Sequence, residues 1–376
     1  MASKKIIHTP QPINGQPSGL KLPKVRGNSK LGLWIGCGLT LAAILIIAGI
    51  FIWYYIQLSP VGNDKSVLKK VTITPGSTSS AISKDLEKQS IIRSSFVFDI
   101  YVRLASKNNM LRAGTYRLSP AESTQQIVEH FIKGSVDTFN ITFYPGATLV
   151  DNTSKSPDKK QDVTSVLKRA GFTDQEIAYA LDKPYYSPLF AGKPNDSSLE
   201  GYIYGETYNF NAGSKVEDIL TAVFKEFYKK VQANNLVNGF AKHGLNLYQG
   251  VTLASIVQRE ASGANDQKQV AQVFYSRMTQ GMTLGSDVTY QYIADRDGLV
   301  RDPSLDSPYN TRIKTGLPPG PIAVPGLSAL LAVANPASGD YLYFLSGDDD
   351  VTYFARTNAE HEANVLSHCK VKCSTP

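Results

Sequence analysis

Residues 253–262 read LASIVQREAS, and an acidic residue interrupts the periodic pattern of this stretch. Leu253, Ile256 and Val257 are spaced i, i+3 and i+4, which places them on one face of an α-helix. Continuing that face leads to Glu260, where the pattern calls for another apolar residue. Two interpretations follow: a solvated glutamate at a fraying helix end, or a carboxylate that lines an apolar cleft. In a cleft, poor solvation raises the pKa of a carboxyl group, which can then donate a proton near neutral pH.

The positive charge of the chain is concentrated at its N-terminus. The 376 residues are 42% hydrophobic and 19% charged, which leaves room for two or three folded units. The formal net charge is +7, but residues 1–30 hold six cations and no acid, so removing them leaves +1. These cations are Lys4, Lys5, Lys21, Lys24, Arg26 and Lys30. The rest of the chain is close to neutral, which argues against a nucleic-acid partner.

Residues 31–58 form an uncharged and mostly apolar run that is long enough to span a bilayer as a helix. Trp53, Tyr54 and Tyr55 stand near its end, where aromatic residues favour the headgroup layer. The positive-inside rule places the Pro- and Gly-rich tail, residues 1–30, in the cytoplasm as a disordered segment, and the later residues outside. A cleaved signal peptide is the alternative, which the length of the run and the lack of a small-x-small cleavage site disfavour.

The remaining sequence mixes helices and strands without βαβ alternation, which predicts an α+β fold. Residues 66–144 indicate a small α+β module, with strands at KKVTIT and GTYRL and a helix starting at Ser119, where Glu122 would complete a capping box. Residues 145–368 indicate a larger mixed α+β domain in which residues 282–326 are rich in turns. Cys369 and Cys373 could pair in an oxidising exterior, and no metal site is expected.

Several residues near the Glu260 stretch are of types that bind sugars. Tyrosine rings are flat and amphipathic and suit the faces of pyranose rings, whereas hydroxyl, amide and carboxylate groups on turns suit sugar hydroxyls. The tyrosines are Tyr202, Tyr204 and Tyr208. The polar residues, all expected on turns, are Asp287, Thr289, Tyr309, Asn310 and Thr311.

Four ordered motifs give the chain a resemblance to a known family. They are LEGYIYGETYNF (199–210), IVQRE (256–260), GSDVTY (285–290) and SPYNTRIKTGLPPGPIAVPG (307–326). From residue 66 to about residue 366, the chain resembles the endolytic murein transglycosylases, the YceG-like family. The resemblance implies a single-pass anchor (31–58), a LysM-like module (66–144) and a catalytic transglycosylase domain (145–368), in this order.

The resemblance maps the catalytic glutamate of the family onto Glu260. It implies cleavage of the bond between N-acetylmuramic acid and N-acetylglucosamine within nascent glycan strands, which leaves a 1,6-anhydro end. The glutamate first protonates the bridging oxygen, and its carboxylate then takes the proton from the muramic acid 6-hydroxyl, which closes onto C1. Because this nucleophile is tethered to the substrate, neither water nor a second catalytic carboxylate is required, and no cofactor is expected.

The matched motifs also imply substrate-binding residues: Glu206, Tyr208, Asp287, Thr289, Tyr309, Asn310 and Thr311. The chain has Gly205-Glu206-Thr207 where the family commonly has Pro-Asp-Thr, and a valine at position 288 where Asp-Pro-Thr is usual, yet both carboxylates are kept. The implied location is the bacterial cell membrane, with the catalytic domain outside. The implied partners are peptidoglycan glycan strands, the membrane and peptidoglycan synthases.

Two other functions stay open at this point. A lysozyme-like muramidase would use Glu260 together with Asp287 or Glu206 as a second carboxylate. A protein without catalytic activity would instead bind the cell wall as a scaffold of the division or elongation machinery.

Overall fold

The structure, a computed structural model, describes residues 29–134, 137–149 and 162–374. The chain divides after Ile56 into two compact units, and the first contains most of helix α1 (Ser29–Leu58). Within α1 the stretch Cys37–Leu58 is long and apolar enough to cross a membrane, and no other helix of the described ranges is. Helix α1 is therefore a candidate membrane span, as predicted for residues 31–58. The tail predicted at residues 1–30 lies almost entirely outside the described residues.

The second unit begins with a small α+β region. Its elements are β1 (Lys69–Ile73), α2 (Ser79–Lys88), α3 (Ser95–Leu104), β2 (Gly114–Leu118) and α4 (Thr124–Lys133). The two strands pair antiparallel with Val71 opposite Tyr116. Alternate residues of β1, Val71 and Ile73, face a core of their own that also contains Leu86 and Phe131. Both strands lie where the sequence predicts them, whereas the LysM-like assignment of residues 66–144 stays a prediction.

Helix α4 begins later than the sequence predicts. The capping box is formed by Ser123 and Gln126, because the Ser123 hydroxyl accepts from the Gln126 backbone N–H at 3.3 Å and the Gln126 side chain accepts from Ser123 N–H at 2.9 Å. Ser119 and Glu122 form a turn before the helix, and Glu122 also binds His130 at 2.9 Å. The start predicted at Ser119 is therefore wrong, because two overlapping capping signals compete and the later one starts the helix.

The larger part of the second unit continues with helices and short strands. They are β3 (Thr138–Thr142), α5 (Val163–Arg169), α6 (Asp174–Asp182), β4 (Thr207–Asn211), α7 (Val216–Ala233), α8 (Leu236–Ala241), α9 (Leu247–Glu260), α10 (Ala264–Thr279), α11 (Asp287–Asp297), α12 (Leu327–Ala334), β5 (Tyr343–Ser346), β6 (Thr352–Ala355) and α13 (Asn358–His368). Strand β3 pairs antiparallel with β4, and β5 with β6. The fold is mixed α+β, as predicted.

Helix α9 lies at the centre of this larger part. Asn246 caps its start, and the residues from Val251 to Val257 are all buried, so the helix is covered on every side. It packs against α10 and α12, and Gly250 lets the ring of Phe240 on α8 approach its backbone. The helix that the sequence identified by its apolar face is therefore the core helix of the domain.

One part of the C-terminal third that was predicted to be turns is a helix, and it lies next to Glu260. Residues 287–297, which were expected to be part of a turn-rich segment, form α11, and the irregular segment runs from there to α12. A disulfide joins Cys369 and Cys373 after α13. The Asp348 carboxylate on the β5–β6 turn accepts backbone N–H groups of Lys370 and Lys372 inside that disulfide loop, which ties the C-terminal segment to the hairpin.

Candidate active site

Glu260 is the last residue of α9, and its side chain is only partly exposed. The helix ends there because Ala261 takes an extended conformation, with φ −144° and ψ 140°. Glu260 thus stands at a helix end, as the first interpretation of the sequence has it, yet it continues the buried face of that helix. Gln258, two residues before Glu260, accepts a hydrogen bond from the Gly326 N–H at 2.9 Å.

The Glu260 carboxylate accepts a hydrogen bond from the buried hydroxyl of Ser286. Ser286 directly precedes α11, at the end of a turn that two neighbours hold in place. Arg277 of α10 donates to the carbonyl of Leu284 at 2.6 Å, and the Gly285 N–H donates to the carbonyl of Thr311 at 2.8 Å. Gly285 has φ +65°, a backbone conformation that favours glycine. The partner of Glu260 is thus a serine on a fixed turn.

The electrostatic surroundings of Glu260 favour its protonated form. Burial raises the pKa of this carboxyl to about 7. The Ser286 hydrogen bond lowers the pKa, the nearby charge of Asp287 raises it, and the cations of Arg277 and Arg259 lower it. Burial prevails, so the carboxyl holds a proton over part of the neutral range and can exchange it with a bound substrate.

Asp287 is the first residue of α11, so Asp287 and Thr289 lie on a helix and not on turns as predicted. Its carboxylate is exposed and forms an ion pair with Arg312. It follows Ser286 directly and lies close enough to Glu260 for the two charges to interact. The Asp287 carboxylate therefore lies near that of Glu260, and the Arg312 guanidinium binds the Asp287 carboxylate.

Three predicted binding residues are buried and bonded within the protein. The Thr289 hydroxyl donates to the Ser286 carbonyl at 2.7 Å and lies 3.0 Å from the Thr311 hydroxyl. The Asn310 amide donates to the carbonyls of Pro303 and Leu305, both at 2.9 Å. These residues fold the loop before and after position 310 against the start of α11.

The other predicted residues lie on neighbouring elements. Tyr309 is half-buried, with its ring 5.5 Å from that of Tyr292. Glu206 is exposed just before β4 and lies 3.5 Å from the Lys230 ammonium group. Tyr208 of β4 is half-buried and donates its hydroxyl to the Tyr204 carbonyl at 3.1 Å.

The stacking role expected of Tyr202 and Tyr204 is wrong. Tyr202 is 0% exposed and Tyr204 5% exposed, so both rings belong to the core and cannot reach a sugar in this structure. The Tyr202 ring packs against Phe190 and Phe227, and the Tyr204 ring stacks on Phe227 at 5.2 Å. A run of tyrosines at alternate positions does not by itself show which ones face water.

A turn at Pro145 and Gly146 connects the β4 side of the domain to the end of α9. Arg259 donates from its guanidinium to the Gly146 carbonyl at 3.1 Å, and the Gly146 N–H donates to Val324 at 2.7 Å. Gly205 packs directly on the Pro145 ring, where an added Cβ would lie 2.6 Å from it. Glu206 is therefore connected to the end of α9 by two contacts, the one between Gly205 and Pro145 and the one between Gly146 and Arg259.

Sequence reasoning missed the residues that set the properties of Glu260. Ser286 lies within the GSDVTY motif, but nothing in its local sequence indicates a contact with Glu260, and the same holds for Arg277 and Arg259. In the described ranges, no group of three or more His, Cys, Asp or Glu side chains converges as a metal site.

Comparisons with known proteins give a consistent result. The model of the YceG-like family matches residues 71–367. The chain is similar to the endolytic murein transglycosylase of Bacillus subtilis (strain 168), with 32% identity over 326 residues that cover 84% of this chain and 89% of that protein. It is 28% identical over 372 residues to the endolytic murein transglycosylases of two Streptococcus pneumoniae strains, covering 89% of this chain and 65% of theirs.

A solved structure is similar as well. It is the crystal structure of a YceG-like protein from Listeria monocytogenes, which is 30% identical to this chain and aligns with a TM-score of 0.52. The alignment covers 79% of this chain and 98% of that one.

Proposed function

The chain belongs to the YceG-like family, and from this premise we propose that it is an endolytic murein transglycosylase whose single catalytic carboxylate is Glu260. Its named relatives are lytic transglycosylases, so the chain is an enzyme of that lyase class. The proposed substrate is the glycan strand of peptidoglycan. The proposed cut is the bond between N-acetylmuramic acid and N-acetylglucosamine, which leaves a 1,6-anhydro end.

One observation carries the assignment of Glu260. Its carboxyl ends a helix in which residues 251–257 are all buried, accepts a hydrogen bond from Ser286, and has a pKa raised by burial to about 7. A group with that pKa is present in both protonation states at neutral pH. It therefore suits a reaction in which one residue must first give a proton and then accept one.

In the proposed reaction, Glu260 gives its proton to the bridging oxygen as the bond from C1 to that oxygen breaks. The resulting carboxylate then takes the proton of the muramic acid 6-hydroxyl as its oxygen bonds to C1. No water is consumed, and the residue returns to its starting state. Because Ser286 donates to one oxygen of the carboxyl, the other oxygen stays available for the substrate. Tethering of the 6-hydroxyl supplies the proximity that an external nucleophile would lack.

We propose two groups of substrate-site residues. Glu206, Tyr208, Asp287 and Tyr309 are at least partly exposed and are proposed to contact sugar groups directly. The second group is Thr289, Asn310 and Thr311, whose buried hydrogen bonds support a role in shaping the loop that presents Asp287 and Tyr309.

The proposed location is the bacterial cell membrane. Helix α1 would be the anchor, and the six cations of residues 1–30 support a cytoplasmic N-terminus with the unit from Gln57 onward outside. We also propose that residues 66–144 act as a LysM-like module. Association with peptidoglycan synthases stays a prediction.

A two-carboxylate muramidase is the second candidate, because Asp287 lies within electrostatic reach of Glu260. The ion pair of Asp287 with Arg312 counts against a role as nucleophile or base. For Glu206, the interaction with Lys230 does the same.

The products of digestion test these alternatives. The full chain in detergent is incubated with peptidoglycan strands, and the new ends are analysed by mass spectrometry. We expect ends that are lighter than reducing ends by one water, full loss of cleavage in Glu260→Gln, and residual cleavage in Asp287→Asn and Glu206→Gln. Reducing ends would establish the muramidase instead. Equal product release by wild type and Glu260→Gln, or none by either, would refute the enzymatic proposal for Glu260.

A further inference from the structure

A concave site that Glu260 does not line lies between the segment that follows α6 and the exposed side of α7. Its cavity has a volume of about 890 Å³. Tyr185, Tyr186 and Lys183 line it from the segment, and Lys225, Tyr228 and Lys229 from the helix. We call it the α7 groove. Its volume lies in the range of sites that hold a ligand of several rings.

The aromatic residues of the α7 groove differ in how firmly they are held. Tyr185 is fixed, because its hydroxyl donates to the Ala180 carbonyl at 2.9 Å and its ring contacts that of Phe224 at 5.0 Å. Tyr186 is 97% exposed, and no ring or hydrogen-bond partner of this residue is found among the described residues. An aromatic ring with both faces open beside a fixed one offers a platform for a flat, amphipathic ring such as a pyranose.

The side chains that line the α7 groove carry more positive than negative charge. Its lining holds Lys183, Lys225 and Lys229 against one carboxylate, Glu226. Glu226 already interacts with Lys229 at 3.4 Å and with Lys230 at 3.1 Å. Within residues 29–134, 137–149 and 162–374, neither Lys183 nor Lys225 forms an ion pair. The α7 groove therefore fits a ligand that carries both sugar rings and carboxylates.

A chain of contacts leads from the α7 groove to the active site. Glu226 of the groove binds Lys230, which in turn lies 3.5 Å from Glu206 and 5.9 Å from the centre of the Tyr204 ring. Glu206 follows Gly205, which packs on Pro145 beside the Arg259 contact already described. The side chains of Lys229, Glu206 and Arg259, which lie along this chain of contacts, are exposed at the surface.

We propose that the α7 groove is a remote subsite for the glycan strand, in which Tyr186 stacks on a sugar ring and Lys225 binds a carboxylate of a peptide stem. The inference rests on the proposed function, since it takes the peptidoglycan strand as the ligand. Contacts far from the cut favour long strands over short ones and so select cleavage within a strand. Such binding acts on KM and leaves the chemical step unchanged.

Binding and kinetics test the subsite separately. Binding is measured by co-sedimentation of the full chain carrying Glu260→Gln with peptidoglycan, either intact or stripped of its peptides. In that background we expect Tyr186→Ala to weaken binding to both forms by roughly 3- to 10-fold. Lys225→Gln should weaken binding to intact peptidoglycan by roughly 3-fold, because the stem carboxylate loses its cation.

Kinetic measurements use the same substitutions with Glu260 intact. We expect Tyr186→Ala to raise KM on long strands without changing kcat, and to leave cleavage of a tetrasaccharide unchanged. Tyr179→Ala and Lys242→Gln are the controls, because both residues are exposed and lie outside the groove lining.

Equal binding by the parent and both groove variants overturns the subsite, as does an equal loss in the controls. The binding result does not depend on cleavage, so it stands or falls separately from the proposed reaction. If the wild-type protein cleaves strands and the groove variants bind peptidoglycan as the parent does, the subsite is refuted and the proposed function stands.

Discussion

At the residue scale, the raised pKa of Glu260 links activity to stability. A glutamate in an unfolded chain has a pKa of about 4.3, whereas in the folded protein burial raises the pKa of Glu260 to about 7. Between these values the folded state holds the proton more strongly than the unfolded state. The wild-type protein therefore loses stability as pH rises through this window and loses no more from this residue above it.

The variant Glu260→Gln removes the charge and nearly keeps the shape of the side chain. We expect it to unfold at higher urea concentration than wild type at pH 8, with a gain in unfolding free energy on the order of 1–3 kcal/mol. The gain should nearly vanish near pH 4, where Glu260 is mostly protonated in both states. Urea titrations followed by circular dichroism at the two pH values measure it, with Glu206→Gln as the control for loss of an exposed carboxylate. A difference that is the same at both pH values would contradict this account.

Ser286 is expected to control where activity declines on the alkaline side. Its hydroxyl donates to the Glu260 carboxylate and so lowers the pKa of Glu260. In Ser286→Ala the pKa of Glu260 should rise further, so the alkaline limb of the kcat/KM profile should shift to higher pH by roughly one pH unit. The maximal rate should be lower.

Rate profiles between pH 5 and pH 10 measure this shift. Ser286→Thr keeps a hydroxyl and should leave the limb near its wild-type position. Thr289→Val removes a hydroxyl that binds the Ser286 carbonyl but does not touch Glu260, so it should lower activity without moving the limb. An unchanged limb in Ser286→Ala would mean that this hydrogen bond does not set the pKa.

The sequence identified Glu260 but not the residues around it, and the reason is geometric. A carboxylate on an apolar face is visible in a window of eight residues. The contact with Ser286 joins positions 26 apart, and Arg277 acts by donating to backbone carbonyls of Leu284 and Leu342, which have no sequence signature. Tyr202 and Tyr204 failed for the opposite reason, because residue type suggested a role that burial excludes.

At the scale of elements, the position of Glu260 depends on how closely α8 and α9 approach. Gly250 lies inside α9, where alanine would normally favour the helix by about 1 kcal/mol. A Cβ at this position would lie 2.2 Å from the buried ring of Phe240. The steric cost of such overpacking, about 1–3 kcal/mol, exceeds the gain in helix propensity.

Gly250→Ala is therefore expected to destabilise the domain by about 1–2 kcal/mol and to lower kcat, since a shifted α9 moves Glu260 relative to Ser286. Thermal unfolding and strand cleavage measure the two effects. Gly213→Ala is the control, because nothing lies within 4 Å of its added Cβ. Adding Phe240→Leu should recover part of the stability lost in Gly250→Ala. Equal stability of Gly250→Ala and wild type would show that the helices separate without cost.

The elements that the sequence predicted are those with a strong local pattern. Helix α9 buries the apolar face that the sequence shows, and in β1 the buried residues Val71 and Ile73 alternate with more exposed ones. Helix α11 was missed, because Ser286 and Asp287 favour turns as well as helix starts and its buried residues include Thr289 and Tyr290. Local pattern cannot decide between a turn and a first helical turn when tertiary contacts hold the segment.

At the scale of the whole molecule, Arg117 connects two separate hydrophobic cores. It belongs to β2 of the first α+β region, yet its guanidinium is buried against the larger part of the unit. It donates to the carbonyls of Ala170 and Ala212 and lies 3.7 Å from the centre of the Phe172 ring and 4.6 Å from that of Phe139. Lys70 and Glu176 form a more exposed ion pair across the same junction, at 3.3 Å.

We expect Arg117→Ala to uncouple the two cores. The substitution leaves two buried carbonyls without their donor and removes the packing on both rings, at a cost of about 3 kcal/mol. Scanning calorimetry should then show two transitions for the unit from Gln57 onward in place of one, because each region keeps its own core. Arg117→Lys should not restore the single transition, since an ammonium group cannot bond both carbonyls and stack on the rings.

Lys70→Ala is the matched control, because an exposed ion pair contributes only about 0–1 kcal/mol and its loss should leave one transition.

Strand cleavage by Arg117→Ala, measured below the temperature of the first transition, tests whether coupling of the two cores affects catalysis. Glu260 and Ser286 lie in the larger core region, so kcat on short strands should stay near that of wild type. If the first region helps to hold long strands, as a LysM-like role requires, KM on long strands should rise. A single transition at the wild-type temperature would instead show that Arg117 does not couple the two cores.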